Sequence, residues 1–399
     1  MYLTLQRRAL FPLFGAALFL AGCSPPIAAP TAIPTTRPTP SPSPEPTMTP
    51  NPNPLIPNFG PFPPLLIPER PANINPLTGL ETDPAMLNHR PILVRIGNDE
   101  RVRTSLWQAG MTSADLVFEE LIDQIGNTYI NTRMTAVFLS HAPQLVGPVR
   151  SGRLINLQLA PMLDGALANA GASDGVRLIF SKTPMVNLDE YFNQPAYCYN
   201  LPHGYMGRLY TTVPRLQEWL TEKGWEKPVP LYGFQFSDTP PLGEPVDSIG
   251  IQDAPWPEWA TVEWRYDPAA EKYLRFVTGA PHIDNSYAVT AKWGNGASCV
   301  AAGSETRTQV TASNVVVLYA DHERTNIVED SNNATSVFIN LVGQGDAAVF
   351  RDGVEVRGRW HRQSVQEFFD FVDEAGKPIP LKPGVTWFEI VPLGYKLKL

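Results

Sequence analysis

The sequence predicts a layered α/β domain followed by a β-rich domain, the pair carried on a Pro-rich stalk behind a lipid-anchor signal. Three observations predict this. Between residues 72 and 238, apolar strands such as "RPILVRIGN" alternate with amphipathic segments such as "TTVPRLQEWLTEKG", the pattern of sheets and helices packed in layers. From 246 to 396 the apolar runs are short and broken by Asp-Gly and Ala-Gly turns, the pattern of antiparallel hairpins. The segment from 23 to 71 holds "PTAIPTTRPTPSPSPEPTMTPNPNP" and about two-fifths of the 42 prolines. Such a text has too little apolar surface to offset the entropy of ordering, so it is expected to stay extended or disordered.

The amino terminus reads as a processing signal. Arg7 and Arg8 precede the apolar run "ALFPLFGAALFLAG", shorter than the roughly 20 residues of a membrane span and suited to a secretory h-region. It ends in "LAGC", Leu20 to Cys23, which resembles the bacterial lipoprotein box. Residues 1–22 are then removed and Cys23 becomes the acylated first residue. At ~0.8 kcal/mol per buried CH₂, several acyl chains make a stable anchor. The expected location is extracytoplasmic, with the protein lipid-anchored to the membrane. In polyproline II, at ~3.1 Å per residue, the stalk reaches on the order of 140 Å at most.

Within the body, "RPILVRIGN" reads as a strand entered at Pro91, and "TRMTAVFLS" as a buried strand. "TSADLVFEELI" fits either a helix or a strand. "VGPVRSGRLINLQLAPML", Val146 to Leu163, reads as a Gly-Pro turn entering a helix, and "GALANAG" as a short strand. "TTVPRLQEWLTEKG" is the clearest helix, with Thr212 as cap, Leu216, Trp219 and Leu220 buried, and Gly224 as terminator. "TVEWRYDPAAEKYLRFV" reads as a hairpin, and "NVVVLYA", "AAVFRDGVEVRGRW" and "VTWFEIVP" continue as an antiparallel meander.

Chemistry is sparse in the text. No P-loop, dinucleotide fingerprint, HExxH or CxxC pair occurs, and the six histidines are scattered, so neither a cofactor nor a metal site is predicted. A formal charge of -8 without a basic stripe gives no support for a nucleic-acid partner. Beyond Cys23 only Cys198 and Cys299 remain. Outside the cytoplasm they could pair, or stay as two buried thiols. "GASDG", Gly171 to Gly175, fits a nucleophile elbow at Ser173, with His282 and Asp284 as nominal partners. The following "VRLIF" has strand character, and His-before-Asp is the wrong order for an α/β-hydrolase.

The arginines are the better lead. Arg150 and Arg153 fall in the first turn of the expected helix, where backbone N–H groups already carry partial positive charge. Asn156 continues their face, and Arg133 joins if its strand is adjacent. One reading pairs the arginines with acids of "DLVFEELID", namely Asp115, Glu119, Glu120 and Asp123. The other has Arg150, Arg153, Asn156 and Arg133 clamp a phosphate or carboxylate ligand, with Asp115 as a nearby base.

"RPILVRIGND", "GMTSADLVFEELI", "TRMTAVFLS", "GPVRSGR", "NAGAS" and "LYTT", followed by "WRYDPAAEKYLRFVTGAPHID", "GQGDAAVFRDG" and "GKPIPLKPGVTWFEIVP", resemble the YerB-like family of bacterial lipoproteins in order. The resemblance covers about residues 73 to 392. It implies an α/β sandwich-like first domain, a β-rich second domain and no established catalytic residues. Two functions are therefore weighed. One is a tethered protein that binds a cell-wall polymer or envelope protein without catalysis. The other is an envelope enzyme using the arginines as a clamp on an anionic glycan or lipid-linked phosphate.

Overall fold

The computed structural model of the protein describes residues 53–62, 65–123, 131–286, 289–291, 299–301 and 306–399, without the side chains between 286 and 305. The expected signal peptide, Cys23 and the stalk up to residue 52 lie outside the described residues. Strands Ile92–Gly97 (β1), Leu116–Leu121 (β2) and Thr132–Phe138 (β3) are buried along their whole length. This is what near-continuous apolar runs become when a sheet is covered on both faces. The segment that fitted either helix or strand is thus β2. Ala166–Asn169 (β4) and Val186–Asp189 (β5) complete this half of the sheet. Between them and beyond lie helices Asn156–Met162 (α1), Asp174–Phe180 (α2) and Val213–Glu222 (α3).

The later half supplies Ser248–Ile251 (β6), Val262–Asp267 (β7), Lys272–Val277 (β8), Asn314–Val328 (β9), Thr335–Asn340 (β10), Gly343–Arg351 (β11), Val354–Arg362 (β12), Asp370–Asp373 (β13) and Thr386–Pro392 (β14). Strands β7 and β8 form the expected hairpin, as do β11 and β12. The meander stops there. Strand β14 inserts between β9 and β2, parallel to both, with Thr386 opposite Asn314 and Leu116. One twelve-stranded sheet therefore runs β13-β12-β11-β9-β14-β2-β3-β1-β4-β5, with β10 on β9 and the two-residue strand Glu244–Pro245 on β12. The two halves that read as successive domains share it.

Strands β1, β2, β4, β5, β9 and β14 point one way, and β3 runs against its neighbours β1 and β2. Their carboxyl ends thus gather on one edge, where open α/β sheets place ligand crevices. One face is covered by α1 and α2 and by Phe234, Phe368 and Phe371, which surround the stacked Phe118–Phe388 pair at 4.5 Å. The other is covered by α3 and by Ile249, Trp264 and Tyr273 of the small sheet. Helix α3 matches its sequence reading: the Thr212 side chain accepts from the Arg215 backbone N–H, and Leu216, Trp219 and Leu220 are buried.

Three expectations are corrected. The opening of "VGPVRSGRLINLQLAPML" is extended, and α1 begins only at Asn156. "DGVRLIF" is helix α2 although its branched residues suggested a strand; tertiary packing of Val176, Ile179 and Phe180 overrides that propensity. The carboxyl end of the Pro-rich segment is docked on the body. Ile56 is buried, Leu55 and Phe59 pack on the core, and Arg70 donates to the carbonyls of Tyr232 at 2.6 Å and Phe234 at 3.3 Å.

A buried charge network fastens the shared sheet to the layer beneath it. Glu119 of β2 stands beside Glu389 of β14. Arg275 of β8 donates to Glu119, and Trp264 donates to Glu389 at 2.9 Å. The Arg275 guanidinium also lies 4.5 Å from the Trp387 ring centre. Burial, reinforced by the neighbouring Glu119 charge, raises the Glu389 pKa to about 8.

Candidate functional site

The segment from Val149 to Arg153 crosses the carboxyl ends of β1 and β4. The Arg150 N–H donates to the Arg95 carbonyl at 2.8 Å, Ala170 N–H to Arg150 at 3.0 Å, and Gly152 N–H to Gly171 at 2.8 Å. These bonds hold the backbone extended, so the two arginines never enter a helical turn. The Asn156 side chain instead accepts from the Arg153 N–H at 2.9 Å and donates to Thr135 at 3.3 Å. Gly97 makes room for Arg150: a Cβ there would sit 2.7 Å from the Arg150 Cγ.

Arg133 is the second residue of β3, opposite Gly97 and Glu120 in register. The structure therefore brings Arg133, Arg150, Arg153 and Asn156 together, joined by the buried Arg95. Each of these arginines but one meets a carboxylate of the protein. Arg95 binds Glu120 at 2.6 Å, Arg150 stands 3.6 Å from Asp99, and Arg153 lies 3.5 Å from Glu329 and 4.0 Å from Asp123. Arg133 donates to the Ser151 carbonyl at 3.0 Å; among the described residues its Nε has no hydrogen-bond partner, and neither does that of Arg150 or Arg153. Burial, together with repulsion from Arg153, Arg150 and Arg95, pushes its pKa well below the usual arginine value. Burial likewise raises Glu120 and Asp123. Four guanidiniums thus face four carboxylates in a half-enclosed network. Asp123 and Glu120 belong to the acids that the sequence offered; Asp99 and Glu329 do not.

Above this network lies a surface that sequence reasoning missed. Tyr191 is 63% exposed, Phe192 71% and Tyr205 76%, high values for large apolar rings. Arginines lie over them: Arg177 is 5.4 Å from the Tyr191 ring centre, Arg208 5.3 Å from Tyr205, and Arg150 5.7 Å from Tyr205. Arg208 also reaches Tyr199, whose hydroxyl donates to Glu190. Arg177 is fixed by two hydrogen bonds to Asp189 at the end of β5. The rings and cations form two groups of contacts: Arg150, Tyr205, Arg208 and Tyr199 in one, and Arg177, Tyr191 and Phe192 in the other. The available signal was the run "EYFNQPAYCYNLPHGYMGRLY", dense in tyrosine within an otherwise polar loop text.

Other predicted residues fall elsewhere. Asp115 precedes β2, roughly 17 Å from Glu120 at strand rise, on the opposite edge from the arginines. It accepts from Asn75 Nδ2 at 2.7 Å, Leu139 N–H at 2.6 Å, Ser140 N–H at 3.1 Å and the Ser140 hydroxyl, so it staples loops away from the arginines. Ser173 does precede a helix, but with φ -60 it lacks the strained geometry of an elbow nucleophile. His282 and Asp284 lie on the other face of the sheet; His282 contacts Gln108 at 2.7 Å, and Asp284 accepts from Thr112 at 2.7 Å. Cys198 is buried in the short strand Cys198–Tyr199, while the side chain of Cys299 is not described. Among the described residues no three His, Cys, Asp or Glu side chains converge as metal ligands.

Two family models match the chain. Residues 77–226 match the N-terminal domain, and 253–388 the C-terminal domain, of a protein of unknown function, DUF3048. The chain belongs to the DUF3048 family. Its similarity to YerB of Bacillus subtilis (strain 168), whose name marks it provisionally as a lipoprotein, is 28% identity over 330 residues, 79% of this chain and 86% of that protein. The crystal structure of the Bacillus subtilis YerB protein shares the fold with a TM-score of 0.62 at 23% identity, over 82% of this chain and 99% of the other. Both DUF3048 domains reach the arginine network: Arg133, Arg150 and Arg153 come from the N-terminal domain, and Glu329 from the C-terminal one. The site therefore needs both domains folded together.

Proposed function

We propose that this DUF3048 protein is held outside the cytoplasm by lipid on Cys23, and that it binds a cell-envelope polymer without catalysis. The occupied surface is the carboxyl edge of the sheet. The observation that carries this reading is the exposure of the rings Tyr191, Phe192 and Tyr205, with Arg177 over Tyr191 and Arg208 over Tyr205. Exposed aromatic faces stack on the apolar faces of sugars, and arginine forks bind phosphate or carboxylate. Large rings exposed to this degree are a mark of interaction sites. Beneath it, Arg150 and Arg153 are largely neutralised by Asp99, Asp123 and Glu329. In this reading they brace the surface rather than clamp the ligand, and Cys198 pairs with Cys299 near it.

The test is co-sedimentation of the purified protein with native cell walls and with walls stripped of their anionic polymers. Binding to native walls that falls on stripping supports the reading. Equal binding to both points to a protein or neutral-glycan ligand instead. Turnover of a labelled lipid-linked glycan would establish the enzymatic alternative. For the anchor, Cys23→Ser is expected to move the protein from the membrane to the soluble fraction, and retention would refute lipidation.

A further inference from the structure

The opposite edge of the sheet holds a second feature. A cavity of about 380 Å³ opens there, bounded by the end of α1, the start of β5 and the docked end of the Pro-rich segment. Its wall is largely apolar: Phe59, Leu65, Met162, Met185, Val229 and Phe368 contribute to it. The volume lies within the range of about 300–1,000 Å³ typical of small-molecule sites, and an apolar cavity favours apolar guests over water. Its charged lining residue, Asp164, is already paired with Arg90 at 2.7 Å and Lys227 at 2.5 Å.

The chain's course indicates the guest. Residues 53–62 and 65–70, which carry Phe59 and Leu65, follow residues 24–52, the stretch that leads back to Cys23. Next to Leu65, Leu66 is 90% exposed and Ile67 40% exposed. The docked segment that leads toward the expected anchor therefore carries exposed apolar side chains, Leu66 and Ile67, and part of the wall of an apolar cavity, Phe59 and Leu65. We infer that this cavity takes the hydrocarbon tail of a membrane lipid, with the half-exposed Lys227, which pairs with the lining Asp164, near its head group. The inference rests on the lipid-anchored reading but not on polymer binding at the opposite edge.

The experiment uses the full lipidated chain in vesicles of phosphatidylglycerol and phosphatidylethanolamine containing a phospholipid with a diazirine at its acyl terminus. After illumination, adducts are mapped by mass spectrometry. Adducts at Met162, Met185 or Phe368 are expected, and Met185→Trp, which fills the half-buried cavity wall, should lower them at least about fivefold while flotation stays unchanged. Adducts confined to Leu66, Ile67 or the segment before residue 53 would overturn the inference, as would an unchanged yield in Met185→Trp. A chain that fails to float refutes the anchor. Diazirine-bearing palmitate in solution then decides the cavity: labelling at Met185 upholds the site, and no labelling overturns it.

Discussion

Replacing Arg153 with alanine leaves Glu329 without its nearest cation. The Glu329 side chain is 1% exposed, that of Arg153 12%, and they stand 3.5 Å apart. Removing one member of a buried pair costs about 3–5 kcal/mol, because the remaining charge is stranded away from water. The partial exposure of Arg153 and the missing hydrogen bond to Glu329 put this case near ~3 kcal/mol. At ~2.1 cal/mol/K per residue, a body of about 350 residues has an unfolding entropy of ~0.7 kcal/mol/K. Arg153→Ala should therefore lower Tm by about 4 °C. Adding Glu329→Gln removes the stranded charge, so the double variant should recover roughly half of the loss, a coupling expected of contacting residues. Differential scanning calorimetry of the four proteins measures this. A single variant within ~1 °C of wild type, or strictly additive losses, would refute the claim that the protein's own carboxylates satisfy Arg153.

Three further outcomes follow from the buried groups. Burial raises the Glu389 pKa to about 8, so the folded state holds this proton more tightly than the unfolded chain. That contribution is full below the ordinary carboxylate pKa and is lost as pH rises through about 8. Glu389→Gln should therefore flatten the decline of Tm between pH 6 and 9 (the range spanning that titration) and be the more stable protein at the alkaline end; an unchanged slope would refute it. Asp115→Asn puts an amide where two backbone N–H groups donate. It should cost about 2–4 kcal/mol in urea unfolding while leaving wall binding per folded molecule unchanged, and lost binding at normal stability would restore Asp115 to the site. Under non-reducing denaturation, maleimide should label neither Cys198 nor Cys299, and after reduction it should label both; labelling before reduction contradicts the pairing.

The local elements were legible because their signals are local. The apolar runs of β1 and β3, the Asp267–Ala270 turn and the Thr212 cap need only neighbouring residues to be read. The insertion of β14 between β9 and β2 was not, since strand partners distant in sequence leave no periodic trace. The same limit hid Glu329 as a partner for Arg153, 176 positions earlier in the chain. For Arg150 and Arg153 the sequence grouped the right residues but supplied the wrong backbone. The segment is extended because β1 and β4 bond to it from both sides, and helical spacing cannot register that competition. The docked end of the stalk had a faint signal: "LIPNFGPFPPLLIP" is much more apolar than the "PTPSPSPEP" before it.

The central claim is that the exposed rings bind and the buried arginines brace. It is tested most directly by comparing Tyr205→Ala/Arg208→Ala with Arg153→Ala in the same wall co-sedimentation, each alongside its melting curve. The surface variant is expected to lose at least about tenfold in wall affinity, ~1.4 kcal/mol, at nearly unchanged Tm. Arg153→Ala should melt earlier yet bind normally at temperatures where it is folded. Normal binding by the surface variant, together with lost binding by a stably folded Arg153→Ala, would make the arginines the ligand clamp and the rings bystanders.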